Sequence, residues 1–222
     1  GINDWTQADL MRELNGDYLN VNLRTNTMWY DYENNQKAVY DYTKGLKASA
    51  QEMIGNAKWY LGGATMQSLN EGTTGKASMF YNYERGTTVW GGTSGQTCND
   101  GACPRAISWT GKVALMYPSD FGYAVGNEIR NSCLEESLSH YGDFYQENCE
   151  KNDWLSQPTY NHTLMLSPCS SYADHRSAIA KEGYLGYSFT SYMGAALPVV
   201  YLKSNIRITD GNGTVENPYI LG

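Results

Sequence analysis

The sequence predicts an α+β domain in which helices come first and short, mostly antiparallel strands follow. Apolar residues recur at helical spacing near the start, at Ile2, Trp5, Leu10, Met11, Leu14 and Tyr18. Short β-branched and aromatic runs closed by Gly, Pro or Asn dominate the second half. The order does not alternate strand with helix, as a parallel sheet would require. At 222 residues the chain can bury a full core, so a single domain over 1–222 is expected. Its helical part covers about 1–57 and its strand- and loop-rich part about 58–222.

Asp4 to Leu19 reads as the first helix, with Asn3 or Asp4 placed to cap it and Gly16 weakening its last turn. Thr27 to Tyr32, rich in Tyr and Asn, is expected to be irregular. Thr43 to Ala57 reads as a second helix, with Leu46, Ala50, Met53 and Ala57 on one face. Lys58 to Leu61 is a strand ended by Gly62-Gly63, and Lys76 to Glu84 a short helix stopped by Gly86. The stretch from Gly86 to Arg105 is loop, rich in Gly, Thr and Asn. Lys112 to Tyr117 is a strand closed by Pro118-Ser119-Asp120, and Cys133 to His140 is weakly helical. Strands then follow at His162 to Leu166, Ser177 to Ile179, Tyr184 to Phe189 and Leu197 to Leu202.

A formal charge of −7 with 16 Lys+Arg argues against a nucleic-acid partner, which would need clustered basic groups. The chain has 19 Tyr and 23 Gly against 4 Phe, a composition suited to recognition surfaces and equally to the lining of strands. No apolar stretch approaches the ~20 residues of a membrane crossing. The abrupt start at Gly1-Ile2-Asn3 suggests a fragment whose N-terminal anchor has been removed, so any membrane contact would run through that anchor. Of 5 cysteines, Cys98 and Cys103 bracket a polar turn, and Cys133 and Cys149 form the second expected pair, leaving Cys169 over. Two disulfides imply an extracellular or cell-surface home. Zinc is the rival reading for Cys98 and Cys103, but no CxxC or HxxxH element accompanies them.

Several segments carry a resemblance. Trp109-Thr110-Gly111-Lys112-Val113-Ala114-Leu115-Met116-Tyr117-Pro118-Ser119-Asp120 resembles a segment of pilin-like surface proteins of Firmicutes. So do Tyr83 to Val89, Asn152-Asp153-Trp154-Leu155 and the ending from Leu197 to Leu221. The resemblance implies a bacterial C-type lectin-like domain, related to formylglycine-generating enzymes and to retroelement-diversified variable proteins. Those relatives place a Trp-Leu-x-Ser-Pro strand before a variable segment and a Gly-Val-Arg-Pro turn before the last strand. Here Trp154-Leu155 and Leu166-Ser167-Pro168 are separated, and Leu197 stands where arginine is usual.

By that resemblance the stretch between Pro168 and Pro198 faces the ligand. Its candidate binding residues are Tyr172, Asp174, His175, Arg176, Tyr184, Tyr187, Phe189 and Tyr192, which mix aromatic platforms with charged and hydroxyl groups. Tyr184 and Phe189 filling the sheet, with Asp174 and Arg176 in a solvated turn, is the competing reading.

Chemistry finds less support. Cys169 lies near His162 and His175 in sequence, but a formylglycine-generating site needs a second cysteine close by, and none is present in this region. Asp210-Gly211-Asn212-Gly213-Thr214 suits a turn between strands better than a calcium site. Asn161-His162-Thr163 and Asn212-Gly213-Thr214 fit the glycosylation pattern, which the bacterial resemblance makes idle. No catalytic residue, metal or cofactor is expected. The leading expectation is a non-enzymatic adhesin-like or pilin-like binding protein, whose partner is a protein or glycan on another cell or phage. A structural pilus or surface subunit and, third, a divergent enzyme of the formylglycine-generating fold are the alternatives.

Overall fold

A computed structural model describes residues 3–18, 28–31, 36–39, 46–70, 75–87, 105–139, 148–149, 153, 155, 162–180, 183–192 and 194–222. Helices and strands are mixed, as an α+β chain requires. The helices are α1 (Asp9–Glu13), α2 (Ala48–Met53), α3 (Met66–Asn70), α4 (Ala77–Arg85), α5 (Pro118–Tyr123) and α6 (Arg130–Cys133). The strands are β1 (Met28–Asp31), β2 (Gln36–Val39), β3 (Ala57–Tyr60), β4 (Ser108–Gly111), β5 (Val113–Leu115), β6 (His162–Pro168), β7 (His175–Ala180), β8 (Leu185–Phe189), β9 (Ala195–Ala196), β10 (Pro198–Val200), β11 (Ile208–Asp210) and β12 (Ile220–Leu221).

The centre is a four-stranded sheet in the order β8-β7-β6-β9, with β6 and β9 parallel and the other pairs antiparallel. β6 is buried from Thr163 to Pro168 because both of its faces are covered. Met165 joins a cluster with Phe80, Phe121, Leu138 and the Cys133–Cys149 disulfide, whose Sγ atoms are 2.03 Å apart. Leu164 and Leu166, one position either side, join a second cluster with Trp5, Trp59, Leu115 and Tyr117. The period of two along a strand thus divides one sheet between two cores. Four further strand pairs are antiparallel: β1-β2, β3-β4, β5-β10 and β11-β12.

The first predicted helix is broken into a 3-10 turn at Trp5–Gln7, α1 and a π-turn at Leu14–Tyr18. Asp4 caps the 3-10 turn by accepting from the Thr6 amide at 3.0 Å. The widened end coincides with Asn15, whose amide donates to Met11 O and to Val113 O of β5 at 2.9 and 2.8 Å. Its Oδ1 also accepts from Val113 N at 3.0 Å, so the side chain binds a strand instead of leaving the helix backbone undisturbed.

Two further expectations fail. Part of the stretch expected to be irregular, Met28–Asp31, is a strand paired with β2, as the β-forming Trp29-Tyr30 pair favours. The helical part over 1–57 therefore contains a hairpin. The second helix ends at Met53, and Ala57 opens β3. Pairing with the C-terminal segment takes over there: Ile54 bridges Leu202, Gly55 N donates to Tyr201 O at 2.9 Å, and Lys203 N donates to Met53 O at 2.8 Å.

The helix expected at 76–84 is α4, and Gly86 ends it. Pro118-Ser119-Asp120 does close β5, but by opening α5, with proline in the first turn and Asp120 accepting from Tyr117 N at 2.9 Å. Helix near Cys133 lies earlier than expected, over α6, and His140 lies outside the described residues. The turn at Asp210–Thr214 joins β11 to β12, with Gly211 and Gly213 at φ of 86° and 83°. Its side-chain oxygens already serve turn amides: Asp210 accepts from Gly211 N at 2.7 Å and Asn212 from Thr214 N at 3.1 Å.

Candidate functional site

The stretch between Pro168 and Pro198 folds as β7, β8 and β9 with their turns. His175 and Phe189 are directly opposed across β7 and β8, with ring centroids 4.2 Å apart. Tyr172, on the turn leading into β7, meets the His175 ring at a tilt of 42°, with centroids 4.9 Å apart. Tyr192, just after β8, meets the Phe189 ring at a tilt of 59°, with centroids 5.1 Å apart. Four rings therefore run in one row at the end of the sheet. Tyr172 is 49% exposed, and Phe189 and Tyr192 are 38% exposed. Asp174 holds His175 through a 2.8 Å hydrogen bond to Nδ1, and that bond keeps the Asp174 carboxyl below its usual range.

The period of two explains why the row emerges here. Leu185, Tyr187 and Phe189 share one face of β8, and the first of these is buried in the Met165 core. Tyr187 packs against the same core, its hydroxyl donating to Ala64 O at 2.9 Å, and burial pushes its phenol well up. Phe189 reaches beyond the core and meets solvent. Tyr184 lies before β8, at the opposite end of the hairpin from Tyr172 and Tyr192. Of the predicted site, Tyr172, Asp174, His175, Phe189 and Tyr192 come together, whereas Tyr187 and Tyr184 do not join them.

Arg176 stands between the two groupings. As the neighbour of His175 on β7 it points to the other face, opposite Ser188. There it lines a cavity of about 390 Å³ between the sheet and the N-terminal segment. Its Nη2 donates to Tyr192 O at 2.9 Å, and Tyr192 lines the same cavity. Burial draws the Arg176 guanidinium down to about 10, which leaves it charged at neutral pH.

Sequence reasoning missed Asn3 as a part of this site. The residue read as a helix cap instead sends its amide to Cys169 O, Tyr172 O and His175 O at 3.0, 2.7 and 2.6 Å. Asn3 N donates to Ala173 O at 2.8 Å, and Arg105 donates to the Asn3 side-chain oxygen. The turn that presents Tyr172 is thus tied to a residue 169 positions away in sequence. No local signal could have revealed it.

Cys169 carries a buried thiol with no disulfide, and burial raises its pKa. That shift is opposite to what a nucleophilic thiolate needs. Cys98 and Cys103 lie outside the described residues, as does Trp154. Among the described residues no group of His, Cys, Asp and Glu could hold a metal, and no helix is long and apolar enough to cross a membrane. Compared with family models, curated proteins and solved structures, the chain matches none.

Proposed function

We propose that this is a non-enzymatic ligand-binding protein of the bacterial cell surface, adhesin-like or pilin-like, built on a C-type lectin-like domain. The exposed row Tyr172–His175–Phe189–Tyr192 is the observation that carries the reading. Packed rings offer rigid apolar faces at little entropic cost, and the hydroxyls of Tyr172 and Tyr192 add polar tips. Such a platform suits a protein or glycan on another cell or a phage. Display of many copies on a surface would let each site be weak. The negative net charge fits a partner other than nucleic acid.

The test is binding of fluorescent wild-type protein to arrays of glycans and surface proteins, beside Tyr172→Ala and Phe189→Ala. At least one ligand should lose tenfold or more affinity in both variants, each still folded by circular dichroism. Ligands held equally by all three proteins would overturn the reading.

A structural surface subunit is the second reading, favoured by the C-terminal hairpin. Ile208, Tyr219 and Ile220 are all more than half exposed there, and Val215 is 94% exposed. Concentration-dependent assembly that Ile208→Asp with Ile220→Asp abolishes would support it.

A further inference from the structure

Three side chains that line the cavity on the Arg176 face each carry a donor, buried behind the lining, with no partner among the described residues: Arg176 Nη1, Thr190 Oγ1 and Trp5 Nε1. Buried polar groups are nearly always satisfied, so three in the lining of one cavity point to a missing partner. Leu115, Leu164, Leu166 and Ala196 make much of the remaining wall apolar. A cation in such a wall is costly unless paired, and water alone supplies no countercharge.

Two acids also line the cavity, and both are otherwise engaged. Asp4 accepts from Thr6 N and Oγ1 at 3.0 and 2.7 Å and from Gln7 Nε2 at 2.7 Å. Asp9 pairs with Arg12 at 3.0 Å. Asp9 is neutralised by Arg12, and among the described residues neither acid forms an ion pair with Arg176.

We propose that this cavity takes a carboxylate carried on an apolar body, with Arg176 as its cationic partner and Thr190 and Trp5 as neutral donors. The planar guanidinium fork matches a carboxylate, and the volume of about 390 Å³ suits a small organic group. The orphaned atoms lie within the wall, so the ligand engages them through turns of the side-chain torsions. Tyr192 joins the cavity to the aromatic row, which makes this a second subsite of the proposed binding surface and rests on that reading.

Titration calorimetry with hexanoate and 3-phenylpropionate, each beside its neutral amide, tests the proposal on the whole chain. The acids should bind at least tenfold more tightly than the amides. Arg176→Gln should remove that preference, and Thr190→Val should weaken acid binding severalfold while keeping side-chain shape. Tyr123→Ala, exposed on α5 and outside both the cavity and the row, should leave acid binding unchanged. Equal binding of acid and amide, no acid binding to folded wild type, or full acid binding by both cavity variants would overturn it. If the acids fail while array ligands still depend on Tyr172 and Phe189, the cavity proposal alone falls. If the acids bind while the arrays show no dependence on the row, the row reading alone falls.

Discussion

Glu84 and Ser119 are joined by two hydrogen bonds: the Glu84 carboxyl accepts from Ser119 N at 2.8 Å and from Ser119 Oγ at 2.5 Å. This ties the end of α4 to the first turn of α5, where free amide groups favour an acidic partner. Arg85 adds an Nη1 contact to Glu84 at 3.2 Å while lying over the Tyr81 ring, 3.5 Å from its centroid. Burial nevertheless dominates and pushes the Glu84 pKa up to about 8.

Stability should therefore fall as pH rises through the window set by Glu84. The folded protein holds this proton up to about pH 8, while the unfolded chain releases it near 4.5. Between those values the folded state binds more protons, so unfolding free energy decreases with rising pH. Denaturation midpoints from pH 5 to 9 should show the decline, and Glu84→Gln should flatten it. Glu84→Ala, which leaves the Ser119 donors unsatisfied, should cost about 1–3 kcal/mol.

The Cys133–Cys149 bridge closes a separation of 16 residues and lies inside the Phe80 core. Replacing both cysteines by serine should lower stability by about 2–4 kcal/mol, read by urea unfolding. An unchanged midpoint would show that this loop is already constrained in the unfolded chain.

Glycines that look equivalent in sequence should respond in opposite ways. A Cβ on Gly63 would strike the carbonyl of Pro168, and one on Gly62 would strike carbonyls of Tyr83 and Gly86. Either glycine changed to alanine should destabilise by about 1–3 kcal/mol or more. Nothing lies within 4 Å of a Cβ on Gly16, so Gly16→Ala should be tolerated and gain about 0.5–1 kcal/mol. Thermal melts of the three variants check the contrast.

Asn3→Ala should loosen the turn from Cys169 to His175 without dissolving the core. The expected signs are faster hydrogen exchange at that turn and a loss of about 1–3 kcal/mol in stability. Exchange unchanged from wild type would mean that the Ala173–Asn3 backbone bond alone holds the turn.

Arg176→Met should leave the protein as stable as wild type or more so, because it replaces a desolvated, uncompensated charge with an apolar side chain of similar length. A large loss of stability would assign Arg176 a structural role through its bond to Tyr192 O.

Much of this fold was legible along the chain because local rules governed it. Short runs with β-formers announced β3, β5, β6 and β8, the helical spacing at 76–84 announced α4, and Gly211 and Gly213 marked the final turn. Where a distant partner competed with local preference, local preference lost. Asn15 bound β5, and the C-terminal segment drew Ile54 and Gly55 out of helix. The aromatic residues of the candidate site were visible as a cluster in sequence, but their sorting was not. The period of two sends Arg176 away from His175, and the extent of the core beneath β8 buries Tyr187 against Ala64 while leaving Phe189 in solvent.

The sequence by itself determined the mixed helix-and-strand class, marked Cys133 and Cys149 as an expected pair, and placed Tyr172, Tyr184, Tyr187, Phe189 and Tyr192 in one stretch after Pro168. Those properties follow from composition, period and short-range spacing. Only the tertiary structure decided which rings form a row, that Asn3 holds their turn, and that Arg176 borders a cavity whose two acids form no ion pair with it. Each of these depends on groups far apart in the chain, whose meeting is set by packing and by where buried polar atoms find partners.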